Sequence, residues 1–191
     1  MSDLEEQAKI HLMPLIKVQN VILDAPAIRT IVEWIVMKVF VAENSTIGDI
    51  PPDPIFDQVA RTAFMNDRTI PPWLRIWMAH HKGTKWMGSF HRHASGIGVT
   101  STLPPPPVTD PTIKNVQVVT WGIGRLLIYV NATTNERVYP FLELGAGPLI
   151  RLWLPPDQLL WPPQYFVLDL FIDDLTQAIE NLILGPNVIH Q

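Results

Sequence analysis

An α+β domain is the fold class this sequence predicts, with N-terminal helices, a small mainly antiparallel sheet and a C-terminal helix packed on it. Three observations predict it. Apolar residues recur at helical spacing through the first part of the chain. From Lys85 that period gives way to β-formers and small residues. A single amphipathic stretch near the C-terminus then restores it. The order is helices, strands, one helix, rather than the alternation that builds a parallel sheet.

Ser2 with Glu5 forms a capping box, so a first helix starts at Asp3, and Pro14 ends or kinks it. Asp24 caps a second helix and Pro26 suits its first turn. Apolar residues recur there at Ile28, Ile31, Val32, Ile35, Val36 and Val39. Arg29 and Glu33, four apart, mark its narrow polar edge, so the helix should be covered on several sides. Asp53-Pro54 reads as the start of a third helix burying Ile55, Phe56, Val59, Ala60, Ala63 and Phe64. A fourth is expected over residues 72–82, stopping at Gly83, with Trp73 and Trp77 on one face.

Residues 85–103 read as one or two strands. Pro104, Pro105, Pro106 and Pro107, extended by Asp110-Pro111, form a rigid polyproline segment, a connector or a docking arm. Strands are expected at 116–121, 126–130 and 149–154, the first two joined by a turn at Gly122 and Gly124. The closing helix is expected over 163–184, with Asp169, Asp173, Thr176, Gln177 and Glu180 on one stripe and Gly185-Pro186 as its stop. The organisation is thus 1–103, a 104–111 connector or arm, and 112–191, together one structural domain.

Among the 191 residues, 47% are hydrophobic and 17% charged, against a usual charged share of about a quarter. So few charges leave part of the apolar content to face a partner rather than water. The net charge of −4 offers nucleic acid no global attraction. Cysteine is absent, which excludes disulfides and thiolate chemistry and fits a reducing compartment. The N-terminus is acidic, without the apolar run of a signal peptide. The most apolar stretch, 28–42, falls short of the ~20 residues a membrane span needs and carries Arg29, Glu33 and Lys38. No membrane partner is expected.

His80, His81, His91 and His93 fall within fourteen residues, and His91 and His93 share one side of a strand. A site built from His80, His91 and His93, in a metal-binding or metal-dependent enzyme domain, is the alternative reading. Against it, the sequence between Arg68 and Thr109 holds no acidic residue to orient a ligand histidine. No metal and no cofactor is therefore expected. The same stretch carries Arg68, Arg75, Lys82, Lys85 and Arg92, while the chain beyond Arg151 is acidic and free of lysine and arginine. That polarity suits register between copies in an oligomer, or neutralisation within one chain. Arg75, Lys82, Lys85 and Arg92 also allow non-specific proximity to DNA, with Trp73, Trp77 and Trp86 as stacking groups or, more simply, as core. Catalysis is not expected. Glu136 and Glu143 are not paired across a cleft motif, Ser89 and Ser95 lie in no nucleophile elbow, and Gly122 with Gly124 is too short for a dinucleotide fingerprint.

Tyr139-Pro140-Phe141-Leu142-Glu143-Leu144-Gly145 leads through a proline-containing loop to Trp161-Pro162-Pro163-Gln164-Tyr165-Phe166 and the last helix. This phrase resembles one in the tail-completion (neck) proteins of long-tailed bacteriophages. Upstream, Trp86 and Ser89 in Thr84-Lys85-Trp86-Met87-Gly88-Ser89-Phe90 fit that family's sheet-start pattern, whereas its glycine is not matched. The polyproline insert and the muted basic character depart from it too. The resemblance covers about half the chain. It implies a non-enzymatic virion subunit, assembled in the host cytoplasm, that forms a homo-oligomeric ring at the head–tail junction and binds neighbouring virion proteins. The residues expected to make those contacts are Ile31, Ile35 and Val39, the arm Pro104 to Pro107, and Trp153, Trp161 and Tyr165.

Overall fold

The computed structural model describes residues 3–43, 55–96, 98–100, 115–143, 148–153, 156–184 and 188–190. In chain order the elements are α1 (Asp3–Ile16), β1 (Val21–Asp24), α2 (Ala25–Glu43), α3 (Gln58–Asp67), β2 (Leu74–His81), β3 (Phe90–Ser95) and β4 (Gly98–Thr100). There follow β5 (Val116–Ile123), β6 (Leu126–Thr133), a 3-10 turn (Glu136–Val138), α4 (Tyr139–Glu143), β7 (Ile150–Trp153), β8 (Gln158–Trp161), β9 (Phe166–Val167), α5 (Asp169–Leu184) and β10 (Val188–His190). The α+β class is as the sequence predicts.

The main sheet runs β3-β5-β6-β2-β7, every neighbour antiparallel, and β9 joins β2 in parallel beyond β7. β3 and β5 pair from Phe90↔Trp121 to Ser95↔Val116, so the sequence on either side of the polyproline segment shares one sheet. The polyproline arm itself lies outside the described residues.

Alternation along β2 and β6 sends side chains to two different cores. Leu74, Ile76, Met78, Leu126, Ile128 and Val130 meet α1, α2 and the β1–β8 ribbon on one face. Trp77, Ala79, Leu127 and Tyr129 meet α4 and α5 on the other. The result is three layers with the sheet in the middle.

The local readings of α2 hold. The Asp24 carboxylate accepts the Ala27 N–H at 2.9 Å, and Arg29 pairs with Glu33 at 2.7 Å. Ile31, Ile35 and Val39, expected at an interface with another protein, are instead 1%, 0% and 2% exposed and pack into the first core. The all-round apolar helix is covered by its own chain. The expected helix over 72–82 is also corrected: it is β2, a strand covered on both faces, and Trp73 and Trp77 do not share a helical face. The third helix begins at Gln58 behind the Asp57 cap, which turns Val59 outward rather than inward. Asp53-Pro54 lie outside the described residues. The closing helix begins at Asp169 rather than residue 163, because Phe166–Val167 pair with β2 first.

Candidate functional site

The acidic stripe of α5 lies along the end of β2 and the segment that joins it to β3, where two of its carboxylates hold four residues. Asp169 accepts the Thr84 N–H at 2.9 Å and lies 2.8 Å from His81 Nε2. One turn on, Asp173 accepts from Lys85 Nζ at 2.7 Å and from the Trp86 indole N–H at 2.9 Å. The Thr84 N–H, with help from His81, holds the Asp169 carboxyl down at about 2. Lys85 and then Trp86 hold Asp173 below the usual carboxylate range. Gly83 makes this approach feasible: a Cβ there would lie 2.2 Å from the Asp169 carboxylate. The glycine read as a helix stop is in fact a clearance. Arg125 fixes the same turn by donating to the carbonyls of Lys82 and Gly83 at 2.9 and 2.7 Å.

Beyond Asp173 the two elements diverge and leave a groove of about 320 Å³, lined by Lys85, Trp86, Ser89, His91, Asp173 and, further along α5, Thr176, Gln177 and Glu180. His93 stands beside it, with Nε2 3.8 Å from Glu180 Oε1, too far for a hydrogen bond. Burial keeps the His93 imidazole below its ordinary pKa, hence neutral near pH 7. The basic-to-acidic matching expected between copies is thus made within one chain.

At the lead-in to α5 the surface turns apolar. Tyr165, Phe166, Leu168 and Leu170 are 73%, 45%, 53% and 69% exposed within six residues of sequence. Lys82 Nζ sits 3.9 Å above the Phe166 ring, so a cation borders the patch. A second apolar pair, Ile22 and Leu160, lies directly cross-strand on the outer side of the β1–β8 ribbon.

The expected contact residues therefore divide. Tyr165 is on the surface. Trp153 is half-buried under the Arg29 guanidinium, 5.5 Å from its ring. Trp161 is 2% exposed, and its indole N–H donates to the Leu15 carbonyl at 3.1 Å, so it is core rather than interface.

The histidines do not converge. His80 turns toward Trp161 on one face of the sheet, whereas His91 and His93 face α5 on the other, with β5 and β6 between the strands. Among the described residues no group of three or more His, Cys, Asp or Glu side chains is placed to share a metal ion. The expected basic set is likewise dispersed. Arg75 lies over the Tyr139 ring and donates to the Pro72 and Leu74 carbonyls, Arg92 donates to Gln117, and Lys85 binds Asp173. Trp77 and Trp86 are buried and Trp73 stacks on Phe56, so they are core groups rather than base-stacking ones. Among the described residues no helix is long and apolar enough to cross a membrane.

Sequence reasoning missed Thr176 as a groove residue and Leu168 and Leu170 as surface. The alternation of Phe166, Leu168 and Leu170 with Val167 was the available signal, since Val167 alone of the four is buried. No protein-family model matches this chain, and comparison with curated proteins and with solved structures likewise gives no match.

Proposed function

We propose that this protein is a non-enzymatic structural subunit of a multi-protein assembly, acting through protein–protein contacts, and that the assembly is the head–tail junction of a bacteriophage. The observation that carries the first part is the exposed apolar run Tyr165, Phe166, Leu168 and Leu170. Four large apolar side chains are exposed within six residues of sequence, and apolar surface concentrated in this way serves for contact with other proteins. They are presented on a short strand and a helix start pinned by Asp169, so little ordering entropy is lost on docking. The bacteriophage assignment rests on the resemblance of the 139–145 phrase and the lead-in at 161–166. On this reading copies form a ring in the virion, with Tyr165 at the contact and neighbouring virion proteins above and below.

Light scattering of the purified protein tests it. The expected result is a defined oligomer that the double substitution Leu168→Glu with Leu170→Glu converts to monomer without lowering the thermal midpoint. A wild-type protein that stays monomeric at high concentration, alone and with isolated phage necks, would sink the reading.

A further inference from the structure

We propose that the groove between α5 and β3 is a binding site for a guanidinium group. The groove is distinct from the apolar run at residues 165–170. The groove offers two acceptors in its lining, Thr176 and Glu180, with His93 beside Glu180, and a negative balance. Thr176 is 8% exposed, lines the groove, and its Oγ1 has no hydrogen-bond partner among the described residues. A mid-helix threonine ordinarily donates back to the carbonyl four residues earlier, so an unpartnered hydroxyl at this burial needs another explanation. His93 Nε2 is in the same condition, buried and unpartnered, 3.8 Å from Glu180 Oε1. Thr176 and Glu180 are one helical turn apart on α5, which sets the hydroxyl and the carboxylate on one side.

Charge selects the class of ligand. Lys85 already neutralises Asp173 at 2.7 Å, whereas Glu180 accepts a long hydrogen bond from Gln177 at 3.5 Å and lies 3.8 Å from His93. The unmatched charge is therefore negative, and a cation is the complement. A metal ion fits poorly, since among the described residues no three ligands of metal type converge. A guanidinium fits well. It is planar, carries five N–H donors and accepts nothing, so it can serve Glu180, Thr176 Oγ1 and neutral His93 Nε2 together. A single ammonium point charge reaches fewer of them. The volume of about 320 Å³ admits the group and its alkyl stem.

The probes are methylguanidinium, methylammonium, free arginine and N-acetyl-arginine amide, with binding followed through the His93 imidazole ¹⁵N resonances. The expected result is a saturable shift of Nε2 with methylguanidinium, at least about fivefold weaker with methylammonium. Glu180→Gln should weaken it by about tenfold or more and Thr176→Val by about threefold to tenfold, with thermal midpoints retained. Binding of N-acetyl-arginine amide identifies the ligand as an arginine side chain of a polypeptide; binding of free arginine alone identifies a small molecule. The proposal is overturned if His93 shows no saturable shift, if methylammonium binds equally, or if Glu180→Gln binds as wild type. Dispersal of the oligomer by the Leu168/Leu170 substitutions would leave these shifts in place, so the two readings fail separately.

Discussion

Glu43 sits at the C-terminal end of an apolar helix with no exposure at all, its carboxylate accepting the Ile55 N–H at 2.9 Å and pairing with the Arg61 guanidinium. Burial pushes its pKa up to about 7, against the pull of the Ile55 N–H, Arg61 and Arg92. The unfolded chain releases this proton near 4.5 and the folded one near 7, so between those values the folded state holds more protons. The contribution is fully present below pH 4.5 and is lost as pH rises through 7. Urea midpoints should therefore fall across that interval, and Glu43→Gln should flatten the slope. Arg61→Met leaves the carboxylate buried without its partner and should cost about 3–5 kcal/mol at pH 8. Trp161→Ala removes a buried indole and its hydrogen bond to the Leu15 carbonyl, an expected loss of about 3–5 kcal/mol in denaturant unfolding. Partner distance decides what is readable at this scale. Asp24 and the Arg29–Glu33 pair were legible because their partners lie within four residues. Trp161, whose partner is 146 positions away, was not and was read as an interface residue.

Gly83 and Asp169 decide whether α5 docks. Gly83→Ala forces the carboxylate to move, breaking its bonds to Thr84 and His81, and should cost about 1–3 kcal/mol with faster amide exchange in α5 than in β6. Asp169 is held near 2 when folded and lies near 3.8 when free, so the folded state holds fewer protons between those values. The stability it contributes is complete above about pH 4 and is lost as pH falls through 2. Asp169→Asn should remove that part of the acid limb in a pH series of thermal midpoints. Among elements, α2 was legible because its period and its cap agree. β2 was not, because Trp73 and Trp77 four apart imitate a helical face while the strand's continuous apolar run reflects cover on both sides. β1 and β8 escaped notice because each is four residues long and exists only through the other.

Among the described residues the main sheet carries a core on each face, and the charge deficit visible in the composition largely goes to filling both. Apolar content thus overstated the surface available to partners; among the described residues the apolar side chains left outside include the 165–170 run, Ile10 and Met13 of α1, and others on the ribbon and on α3. Because β2 and β6 supply side chains to both cores, neither can melt alone. Tryptophan fluorescence and far-ultraviolet circular dichroism should give coincident urea transitions, and separated midpoints would show that the two sides unfold independently. One contact offers a reporter on this coupling. Trp34 of α2 and Trp121 of β5 stack with centroids 5.1 Å apart and planes inclined by 19°. Two indole chromophores so close exchange excitation, so helix and sheet together sign the spectrum with a bisignate band that either one, parted from the other, would lose.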